Sequence, residues 1–496
     1  MSDTVADSSA ADVSAGVTTP VDLIARRPRR SDHGVTASGP ALLPLQAGQQ
    51  YRFTFDMSAC VGCHSCEVAC AEQNALPVGT VWRRVGEIEG GTYPETRSAH
   101  LSMACNHCLE PTCLEGCPAD AYVKLSSGVV DHLADECIGC QYCTWTCPYS
   151  VPVFQPDRRI VSKCDMCAPR LEQGFTSACV DACPTHAIGI EIVEVDEWRI
   201  DHAAADGPNL PSADISLSTT RLVLPDDLPA DTHTAGDHAL AAEHPHWPLV
   251  FVTLLTEVAI GLFVASIVAG DAGDGRMIAA WALATTFVGM NASLLHLGRP
   301  IMAAKAFRGW RHSWLSREAI AFVVSAAACG VALAAPSTVT AAVGAAVAVV
   351  AAFASAKLYM LPARPSWDSA WTVVAFVASG LATGGALHAV LRDGAGALVS
   401  AIGVVVAVAA HVANLVRLRS STELERRGTW TLVVGPLRPW FVLRLVSACV
   451  AVAALALGAP VAALVAVVIT ELTGRWLFYV SVVPYSIPGA FFRGRI

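Results

Sequence analysis

Charged residues are scarce in this chain. Asp, Glu, Lys and Arg make up 15% of its 496 residues, against roughly 25% in an average soluble domain. Hydrophobic residues make up 53%, and the mean hydropathy is +0.47. The apolar excess is confined to the C-terminal half of the chain. This composition excludes a wholly soluble protein and predicts two parts that are adapted to different solvents.

Cysteine is nearly absent outside one segment. Of the eighteen cysteines, Cys329 and Cys449 lie in long apolar runs and are expected to be small buried hydrophobic residues. The other sixteen fall into four runs, which read Cys60-x2-Cys63-x2-Cys66-x3-Cys70, Cys105-x2-Cys108-x4-Cys113-x3-Cys117, Cys137-x2-Cys140-x2-Cys143-x3-Cys147 and Cys164-x2-Cys167-x11-Cys179-x3-Cys183.

The spacing of these runs is that of bacterial ferredoxins, in which the fourth Cys of a run ligates the other cluster of a pair. Sixteen ligands suffice for four 4Fe–4S cubanes. Structural zinc fits less well, because zinc sites separate two Cys pairs by a dozen or more residues. Disulfides between neighbouring cysteines in such tight loops would be strained. The runs therefore predict a domain that conducts electrons.

The N-terminal half divides into three predicted parts. Residues 1–50 lack periodicity and are expected to form a disordered tail. Residues 51–195 are expected to form a duplicated ferredoxin-like domain that begins with a strand at 51–56. Residues 196–245 are acidic and rich in Pro, and are expected to be an extended linker. The tail contains a basic patch at Arg26, Arg27, Arg29 and Arg30. Polar residues follow this patch where an export leader needs an apolar stretch, so no such leader is expected.

Residues 246–496 contain eight apolar runs of near membrane-spanning length. Helices are predicted over 247–268, 277–295, 319–335, 339–360, 371–391, 397–417, 440–459 and 461–483. A soluble helical core is the alternative, but eight successive runs make it improbable. The predicted fold class is α+β, with a duplicated bacterial-ferredoxin-type domain of four 4Fe–4S clusters followed by an eight-helix all-α transmembrane anchor.

The distribution of basic residues predicts the orientation of this anchor. Eight spans place the cysteine-rich domain, the even-numbered loops and the C-terminus on one side. That side carries Arg299, Lys305, Arg308, Arg311, Arg317, Arg364, Arg417, Arg419, Arg426, Arg427, Arg438, Arg493 and Arg495, and the other side carries Arg276 and Arg392. The positive-inside rule then predicts an inner (cytoplasmic) membrane protein with its clusters in the cytoplasm. Basic residues that serve a quinone or a partner subunit would inflate this count.

Several phrases resemble the dimethyl sulfoxide reductase family of molybdopterin oxidoreductases. They are Cys105-Asn106-His107-Cys108, Cys137-Ile138-Gly139-Cys140, His246-Trp247-Pro248-Leu249, His296-Leu297-Gly298-Arg299-Pro300 and Glu471-Leu472-Thr473-Gly474-Arg475. The chain resembles the four-cluster iron–sulfur subunit of that family fused to its eight-helix membrane anchor. The resemblance implies a separate molybdopterin-containing catalytic subunit as partner, together with membrane lipid and the quinone pool. No nucleic-acid partner is expected.

The same resemblance implies which cysteines share a cluster, in crossed pairs of runs. The site nearest the catalytic partner, cluster site 1, takes Cys60, Cys63, Cys66 and Cys183. Cluster site 2 takes Cys70, Cys164, Cys167 and Cys179. Cluster site 3 takes Cys105, Cys108, Cys113 and Cys147. Cluster site 4, nearest the membrane, takes Cys117, Cys137, Cys140 and Cys143. Some relatives replace a cysteine of the third run with Trp and hold a 3Fe–4S cluster, but this chain keeps Cys140, so four cubanes are expected.

The anchor family uses the His of the His-Leu-Gly-Arg-Pro phrase in quinol binding, which implies a quinol site around His296 and Arg299. An imidazole of ordinary pKa can accept a proton from a quinol, and an adjacent guanidinium can stabilise the oxyanion. The alternative is that His296 caps a helix or pairs with a lipid headgroup. Glu257 and Glu471 are further candidates, since ionisable groups inside spans are commonly functional. Glu471 could equally form an i,i+4 ion pair with Arg475.

Two histidines in predicted spans, His388 and His411, suggest a haem b site. Their depths in the membrane differ by roughly 16 Å at 1.5 Å per residue, which is too far to bind one iron from both faces. No haem is therefore expected.

These features predict an electron-transfer and anchoring subunit that oxidises a quinol, menaquinol in particular, and passes electrons to a molybdenum reductase. The same relay in reverse would carry electrons from a dehydrogenase such as formate dehydrogenase to quinone. A third interpretation is a transporter whose clusters sense redox state. Such transporters contain inverted repeats or paired broken helices, which are not evident in this sequence.

Overall fold

The computed structural model describes residues 44–207, 210–234, 240–392, 394–421 and 423–485. Residues 1–43 of the predicted tail, with the basic patch, lie outside the described residues, as do Arg493 and Arg495. The described chain forms a cysteine-rich domain of short strands and helices, followed by an all-helical anchor. The predicted α+β class is confirmed.

Ten short strands organise the cysteine-rich domain. They are β1 (Gln49–Asp56), β2 (Arg84–Gly90), β3 (Arg97–Met103), β4 (Tyr122–Lys124), β5 (Val130–His132), β6 (Val153–Gln155), β7 (Ile160–Ser162), β8 (Ile188–Glu194), β9 (Arg221–Val223) and β10 (His233–Thr234). One sheet has the order β8-β1-β9 and a second has the order β10-β2-β3. The hairpins β4–β5 and β6–β7 stand alone. Sheets this small bury little apolar surface, so the cysteine runs form part of the core.

Short helices follow the cysteine loops. They are α1 (Ser65–Gln73), α2 (Thr112–Gly116), α3 (Tyr142–Thr146), α4 (Ala168–Glu172) and α5 (Ala178–Asp181), with α6 (Val195–Ile200) after the last strand of the duplicated unit. Each of the first five carries at least one of the sixteen cysteines or begins directly after one. These helices therefore anchor the thiols to the rest of the domain.

The segment predicted as a linker, 196–245, contributes a strand to each of the two three-stranded sheets. Its strand β9 pairs in parallel with β1, and β10 pairs antiparallel with β2. The Trp198 side chain is buried and donates a hydrogen bond from its indole nitrogen to the Ser218 carbonyl, at 2.9 Å. A composition rich in Pro, Ala and Asp does not reveal these pairings, because each strand is three residues long or shorter.

Eight long helices form the described part of the anchor. They are α7 (Trp247–Ala269), α8 (Arg276–Leu294), α9 (Trp314–Ala334), α10 (Thr338–Tyr359), α11 (Ala370–Leu391), α12 (Gly396–Arg419), α14 (Arg438–Ala456) and α15 (Pro460–Val480), with an eleven-residue helix α13 (Leu424–Val434) before the seventh span. All eight are long and apolar enough to cross a membrane. The predicted eight-span anchor is confirmed. The third span, α9, begins five residues before its predicted start. Its first turns contain the polar residues Ser316, Arg317 and Glu318, which a hydropathy pattern assigns to a loop.

Small residues let α7 and α11 approach closely at the centre of the bundle. A Cβ placed on Gly261 would lie 2.4 Å from the Gly380 carbonyl oxygen and 2.6 Å from the Gly385 nitrogen. Without a hydrophobic driving force between helices in lipid, association relies on such close packing. Glycine at position 261 therefore allows the close approach of these two helices.

Candidate functional site

The four cysteine loops share one backbone conformation. The second residue after the first cysteine has a positive φ in every loop, at Gly62 (64°), His107 (44°), Gly139 (71°) and Met166 (59°). Two of these residues are not glycine, so the sequence alone offered little sign of the shared conformation. Successive N–H groups in such a turn point into one concavity and favour negative charge there, as at many iron–sulfur sites.

Backbone N–H groups donate to the cysteine sulfurs from these same positions. His107 N lies 3.5 Å from Cys105 Sγ, and Gly139 N lies 3.4 Å from Cys137 Sγ. Met166 N lies 3.4 Å from Cys164 Sγ. Bonds of this kind favour thiolate over thiol, which is the form that binds iron.

Two cavities are lined by the predicted crossed sets of cysteines. One is lined by Cys117, Cys137, Cys140 and Cys143, the set proposed for cluster site 4. The other is lined by Cys105, Cys108, Cys113 and Cys147, the set proposed for cluster site 3. In each cavity the fourth cysteine comes from the other run, as the crossed pairing requires.

The remaining eight cysteines lie close together, and most of their neighbours match the crossed sets, while Cys66 has Cys179 of the other set as a neighbour. Cys183 and Cys63 are electrostatic neighbours of Cys60 in cluster site 1. Cys70 has Cys167 and Cys179 as neighbours, and Cys164 has Cys70, which brings together cluster site 2. Cys63 is exposed to solvent, whereas Cys70 is buried.

The arrangement of the thiols fits cubanes. Among the described residues, no group of three or more His, Cys, Asp or Glu side chains lies close enough to bind a single metal ion. A 4Fe–4S cube instead takes one thiolate at each of four separated corners, and four cysteines around a cavity suit that geometry. Burial raises the pKa of the Cys70 thiol to about 12 and that of Cys147 to about 11. Iron must therefore displace protons from these thiols as it binds.

Two buried cations lie among the cysteines. Burial alone would lower the pKa of Arg83, but the thiolates of Cys179 and Cys66 raise it above its ordinary value. Burial likewise opposes the charge of Lys163, and Cys105 and its neighbours raise its pKa. These cations offset the negative charge that four thiolates per cluster bring into the interior.

Cluster site 4 is joined directly to the anchor by the loop that follows α8. Gly298 N donates to Gly139 O at 3.2 Å, and Arg299 N donates to Ile138 O at 3.0 Å. His296 Nε2 lies 3.1 Å from the Cys140 carbonyl oxygen. On the opposite side of the site, the Tyr142 hydroxyl donates to the Leu358 carbonyl at 2.8 Å. The loop of cluster site 4 is thus held by backbone and side-chain contacts to the loop after α8 and to the end of α10.

Aromatic side chains fill the space below this loop. The aromatic cluster consists of Trp145, Tyr359, Trp367, Phe478 and Tyr479. Trp145 lies two residues after Cys143, and its ring centroid is 5.4 Å from that of Trp367. Trp367 and Phe478 are stacked with 14° between their planes. Close-packed rings therefore connect the loop of cluster site 4 to the interior of the bundle.

Two histidines border the aromatic cluster. The ring of His296 lies 6.2 Å from Trp145 and 5.8 Å from His246. Burial lowers the pKa of both, that of His246 to about 3, so the ordinary pKa expected for His296 is wrong. A carbonyl oxygen can only accept, so His296 Nε2 carries the proton in its bond to Cys140 O and Nδ1 keeps its lone pair. His296 is thus a neutral imidazole with an acceptor nitrogen.

Arg299 does not face the same way as His296. Its guanidinium donates to the Ala134 carbonyl at 2.9 Å, within the cysteine-rich domain. The cation beside the aromatic cluster is Arg364, which lies 5.7 Å from the Trp145 ring centroid and 5.0 Å from that of Trp367. Sequence reasoning counted Arg364 only toward membrane orientation, because no motif distinguished it from the other loop arginines.

Glu318 is a second residue that sequence reasoning missed. It is half-buried in the first turns of α9, and it is an electrostatic neighbour of Tyr142 and Tyr359. The hydropathy pattern placed Glu318 before the third span, so its position inside the membrane was not predicted. A carboxylate beside the aromatic cluster is a potential proton acceptor.

Glu257 and Glu471 lie deeper in the bundle and pair across helices. Arg475 Nη2 lies 2.5 Å from Glu257 Oε2, and Arg444 Nη2 lies 3.9 Å from Glu471 Oε2. The structure does not contain the alternative i,i+4 pair between Glu471 and Arg475 among its described ion pairs. Glu257 is ten residues into α7 from Trp247, or about 15 Å below the cluster-side end of the helix. The two groups of candidates therefore occupy different depths.

A narrow polar cavity reaches these deeper groups. It is lined by His411, Arg444, Glu471 and Arg475 within the spans, and by Ser366, Thr429 and Ser481 in the segments that follow spans on the cluster side. Glu471 Oε1, Arg444 Nε and Thr429 Oγ1 are buried without a hydrogen-bond partner among the described residues. Buried polar atoms of this kind are normally hydrated, so the cavity suits bound water.

His388 and His411 have separate partners. His388 Nε2 lies 3.4 Å from Asp271 Oδ2, near the end of the bundle away from the clusters. His411 contacts Arg444, with Phe441 at 5.6 Å between ring centroids. The absence of haem remains a prediction.

Two family models match this chain. One, described as a 4Fe-4S dicluster domain, matches residues 97–192. The other, described as the DMSO reductase anchor subunit (DmsC), matches residues 241–480. Over 178 residues the sequence is 35% identical to a component of the anaerobic dimethyl sulfoxide reductase of Haemophilus influenzae, which covers 34% of this chain and 86% of that protein. Over 161 residues it is 37% identical to the component of the same name from Escherichia coli K12, covering 31% and 78%.

This protein belongs to the dimethyl sulfoxide reductase family. It is also 36% identical over 160 residues to a component of the sulfite dehydrogenase of Allochromatium vinosum, covering 28% of this chain and 67% of that protein. As a member of this family, it is an iron–sulfur electron-transfer subunit with its membrane anchor in the same polypeptide. The predicted fusion of two subunit types is confirmed.

Proposed function

We propose that this chain oxidises a quinol, menaquinol in particular, at the cluster-facing end of its anchor. It passes the electrons through four 4Fe–4S clusters to a separate molybdopterin-containing reductase subunit. The observation that carries the proposal is the contact between cluster site 4 and the anchor. The Cys140 carbonyl accepts a hydrogen bond from His296. Trp145 of the same cysteine run packs against Trp367, another member of the aromatic cluster.

The residues around the aromatic cluster supply what quinol oxidation requires. Each quinol releases two protons and two electrons, whereas a cubane, when bound, accepts one electron at a time. His296 Nδ1 and the Glu318 carboxylate are acceptors for the protons, and Arg364 supplies a positive charge where the oxyanion develops. Arg299 holds the loop against the cysteine-rich domain. We therefore assign His296 to the quinol site and Arg299 to its positioning.

Glu257 and Glu471 are the next candidates. Both are paired with arginines at a depth of about 15 Å, well below His296. The polar cavity at this depth is also lined by Ser366 and Ser481, which follow the cluster-side ends of two spans. We propose that these carboxylates serve proton release from the quinol site instead of binding the quinol ring.

Stopped-flow reduction of the reconstituted chain with a menaquinol analogue tests the function directly. The absorbance and EPR signals of the clusters should change with the quinol, without a catalytic subunit present. Failure of the quinol to reduce clusters that dithionite does reduce would contradict the proposal. It would also revive the interpretation as a redox-sensing transporter, which substrate uptake by proteoliposomes without quinol would support.

The reverse direction of electron flow is the second candidate function, and the sulfite dehydrogenase relative supports it. In that case a molybdopterin dehydrogenase, such as a formate dehydrogenase, would reduce the clusters and the anchor would reduce quinone. Redox titration of the four clusters distinguishes the two directions. Potentials above that of the menaquinone pool favour quinol oxidation, and potentials below it favour quinone reduction.

The purified chain is expected to contain about sixteen irons in four cubanes. Elemental analysis and EPR of the reduced protein measure this, and stoichiometric zinc or a native 3Fe–4S signal would contradict it. Cys143→Ser should disturb the signal of cluster site 4 while the other three persist. The corresponding control is Cys449→Ser. Cys449 is exposed on α14, so the expectation that it is buried is wrong, and its replacement should leave the iron content unchanged.

The positive-inside rule predicts that the clusters face the cytoplasm. A reporter fused after Ile496 should therefore be active in its cytoplasmic form, and one inserted near Asp274, between the first two spans, in its exported form. Paired phosphatase and fluorescent-protein fusions measure both. The opposite result would mean that the loop arginines serve quinol or partner binding instead of insertion.

A further inference from the structure

A groove runs between α9 and α10 on the outer surface of the anchor. It encloses about 630 Å³, within the roughly 300–1,000 Å³ of most small-molecule sites. Its walls are apolar and include Ile320, Val324, Val347 and Val350. Ile320, Val324 and Val350 are 37%, 49% and 62% exposed. These side chains therefore face the hydrocarbon of the membrane.

The groove has the length of one membrane leaflet. Val324 is ten residues from the start of α9 at Trp314, or about 15 Å along the helix. Val347 is twelve residues from the end of α10 at Tyr359, or about 18 Å. The hydrocarbon core of a bilayer is about 30 Å thick. The groove thus extends from the cluster-side surface to the middle of the bilayer.

Two guanidinium groups close the surface end of the groove. Arg317 donates to the carbonyls of Trp310 at 3.2 Å and Arg311 at 2.6 Å, which fixes the backbone beside it. Arg311 is exposed and lies 5.3 Å from the Trp310 ring centroid. No carboxylate is among the nine residues that line the groove. The polar end of the groove is therefore positively charged, and no acidic side chain in the lining neutralises that charge.

We propose that this groove binds an anionic glycerophospholipid. The phosphate lies at Arg311 and Arg317, and an acyl chain follows the apolar walls into the leaflet. Basic pockets between membrane helices recognise anionic headgroups through the same combination of charge and apolar surface. A quinol ring is a poorer occupant, because the lining includes no imidazole, carboxylate or hydroxyl group to take its protons.

The bound lipid would act on the joint between anchor and clusters. Gly309 N donates to Pro118 O at 2.9 Å, and Ser313 Oγ donates to Gly116 O at 2.8 Å. These two contacts flank Cys117, a proposed ligand of cluster site 4. A headgroup at Arg311 orders the loop from which both contacts come. The lipid would therefore stabilise the contacts that hold cluster site 4 against the anchor.

Native mass spectrometry of the whole chain, released from nanodiscs with equal phosphatidylglycerol and phosphatidylcholine, tests the proposal. The wild-type chain should retain phosphatidylglycerol preferentially. Each basic residue contributes about five-fold in affinity for an anionic surface, so Arg311→Gln with Arg317→Gln should weaken retention about 30-fold. The pair Arg311→Lys and Arg317→Lys should largely restore it, since the charge is kept.

Two further variants make the result specific to the groove. Ala346→Phe fills the apolar walls, leaves both guanidiniums in place and should also release the lipid. Arg438→Gln removes an exposed charge at the start of α14 and should leave retention unchanged. Equal retention of both lipids, or displacement of phosphatidylglycerol by a menaquinone analogue, would overturn the proposal. Iron content reports folding in every variant, and the lipid readout does not depend on quinol oxidation.

Discussion

His296→Leu is expected to slow the reduction of the clusters by menaquinol about 100-fold or more, while reduction by a viologen stays at the wild-type rate. Leucine preserves much of the volume beside Trp145 but removes the Nδ1 lone pair that accepts a proton, and loss of general base catalysis typically costs this much. The comparison of the two donors is the measurement, because viologen bypasses the anchor. Equal losses with both donors would instead indicate that the clusters are damaged.

His312→Leu is the matched control for this variant. His312 lies in the same connecting loop, where its Nδ1 is 2.9 Å from the Glu115 carbonyl and its Nε2 is 2.9 Å from Asp120 Oδ1. It contacts the cysteine-rich domain, as His296 does, but does not border the aromatic cluster. It should therefore retain most of the quinol-driven rate. Wild-type oxidation of menaquinol by the His296 variant would move the site to Glu257 and Glu471.

Gly298→Ala is expected to uncouple the anchor from cluster site 4. A Cβ at this position would lie 2.1 Å from the Arg159 carbonyl oxygen and 2.9 Å from its carbonyl carbon. Backbone atoms cannot rotate away as a flexible side chain can, so the loop must move off the domain, at a cost of about 1–3 kcal/mol or more. Menaquinol-driven reduction should fall about ten-fold or more, with unchanged iron content.

Gly330→Ala provides the control for Gly298→Ala. Gly330 lies within α9, and a Cβ there meets no atom within 4 Å. The substitution should raise helix propensity without affecting electron transfer. If both variants behave like the wild type, the contact between Gly298 and the Gly139 loop does not govern the transfer.

Much of the fold followed from the sequence because two strong periodic signals were present. The cysteine spacing predicted the ferredoxin-like domain, and the apolar runs predicted eight spans whose boundaries agree to within a few residues for seven of them. The start of α9 was misplaced, since a hydropathy pattern cannot separate a polar first turn from a loop. The amphipathic helix α13 and strands β9 and β10 were missed, because they form through tertiary packing and have no strong local pattern.

The candidate site was predictable only where a motif specified it. Two of the crossed sets of cysteines each line a cavity, and the assignment of all sixteen ligands to four clusters remains a prediction. By contrast, the phrase His296-Leu297-Gly298-Arg299 suggested that the imidazole and the guanidinium act together, whereas a turn after α8 sends their side chains in different directions. Arg364 and Glu318 reach the aromatic cluster through helix packing. Contacts between residues so far apart in the chain leave no trace in a single sequence.

Strands β9 and β10 have a kinetic consequence. Both strands are paired into the sheets of the cysteine-rich domain. Part of the segment that leads to the first membrane helix is therefore held by the domain and does not act as a flexible tether. Two modules in one polypeptide need no encounter in solution, and their effective concentration does not change on dilution. If the anchor oxidises quinol as proposed, electron transfer from it to the clusters is a first-order event, and its rate is independent of the density of the protein in the membrane.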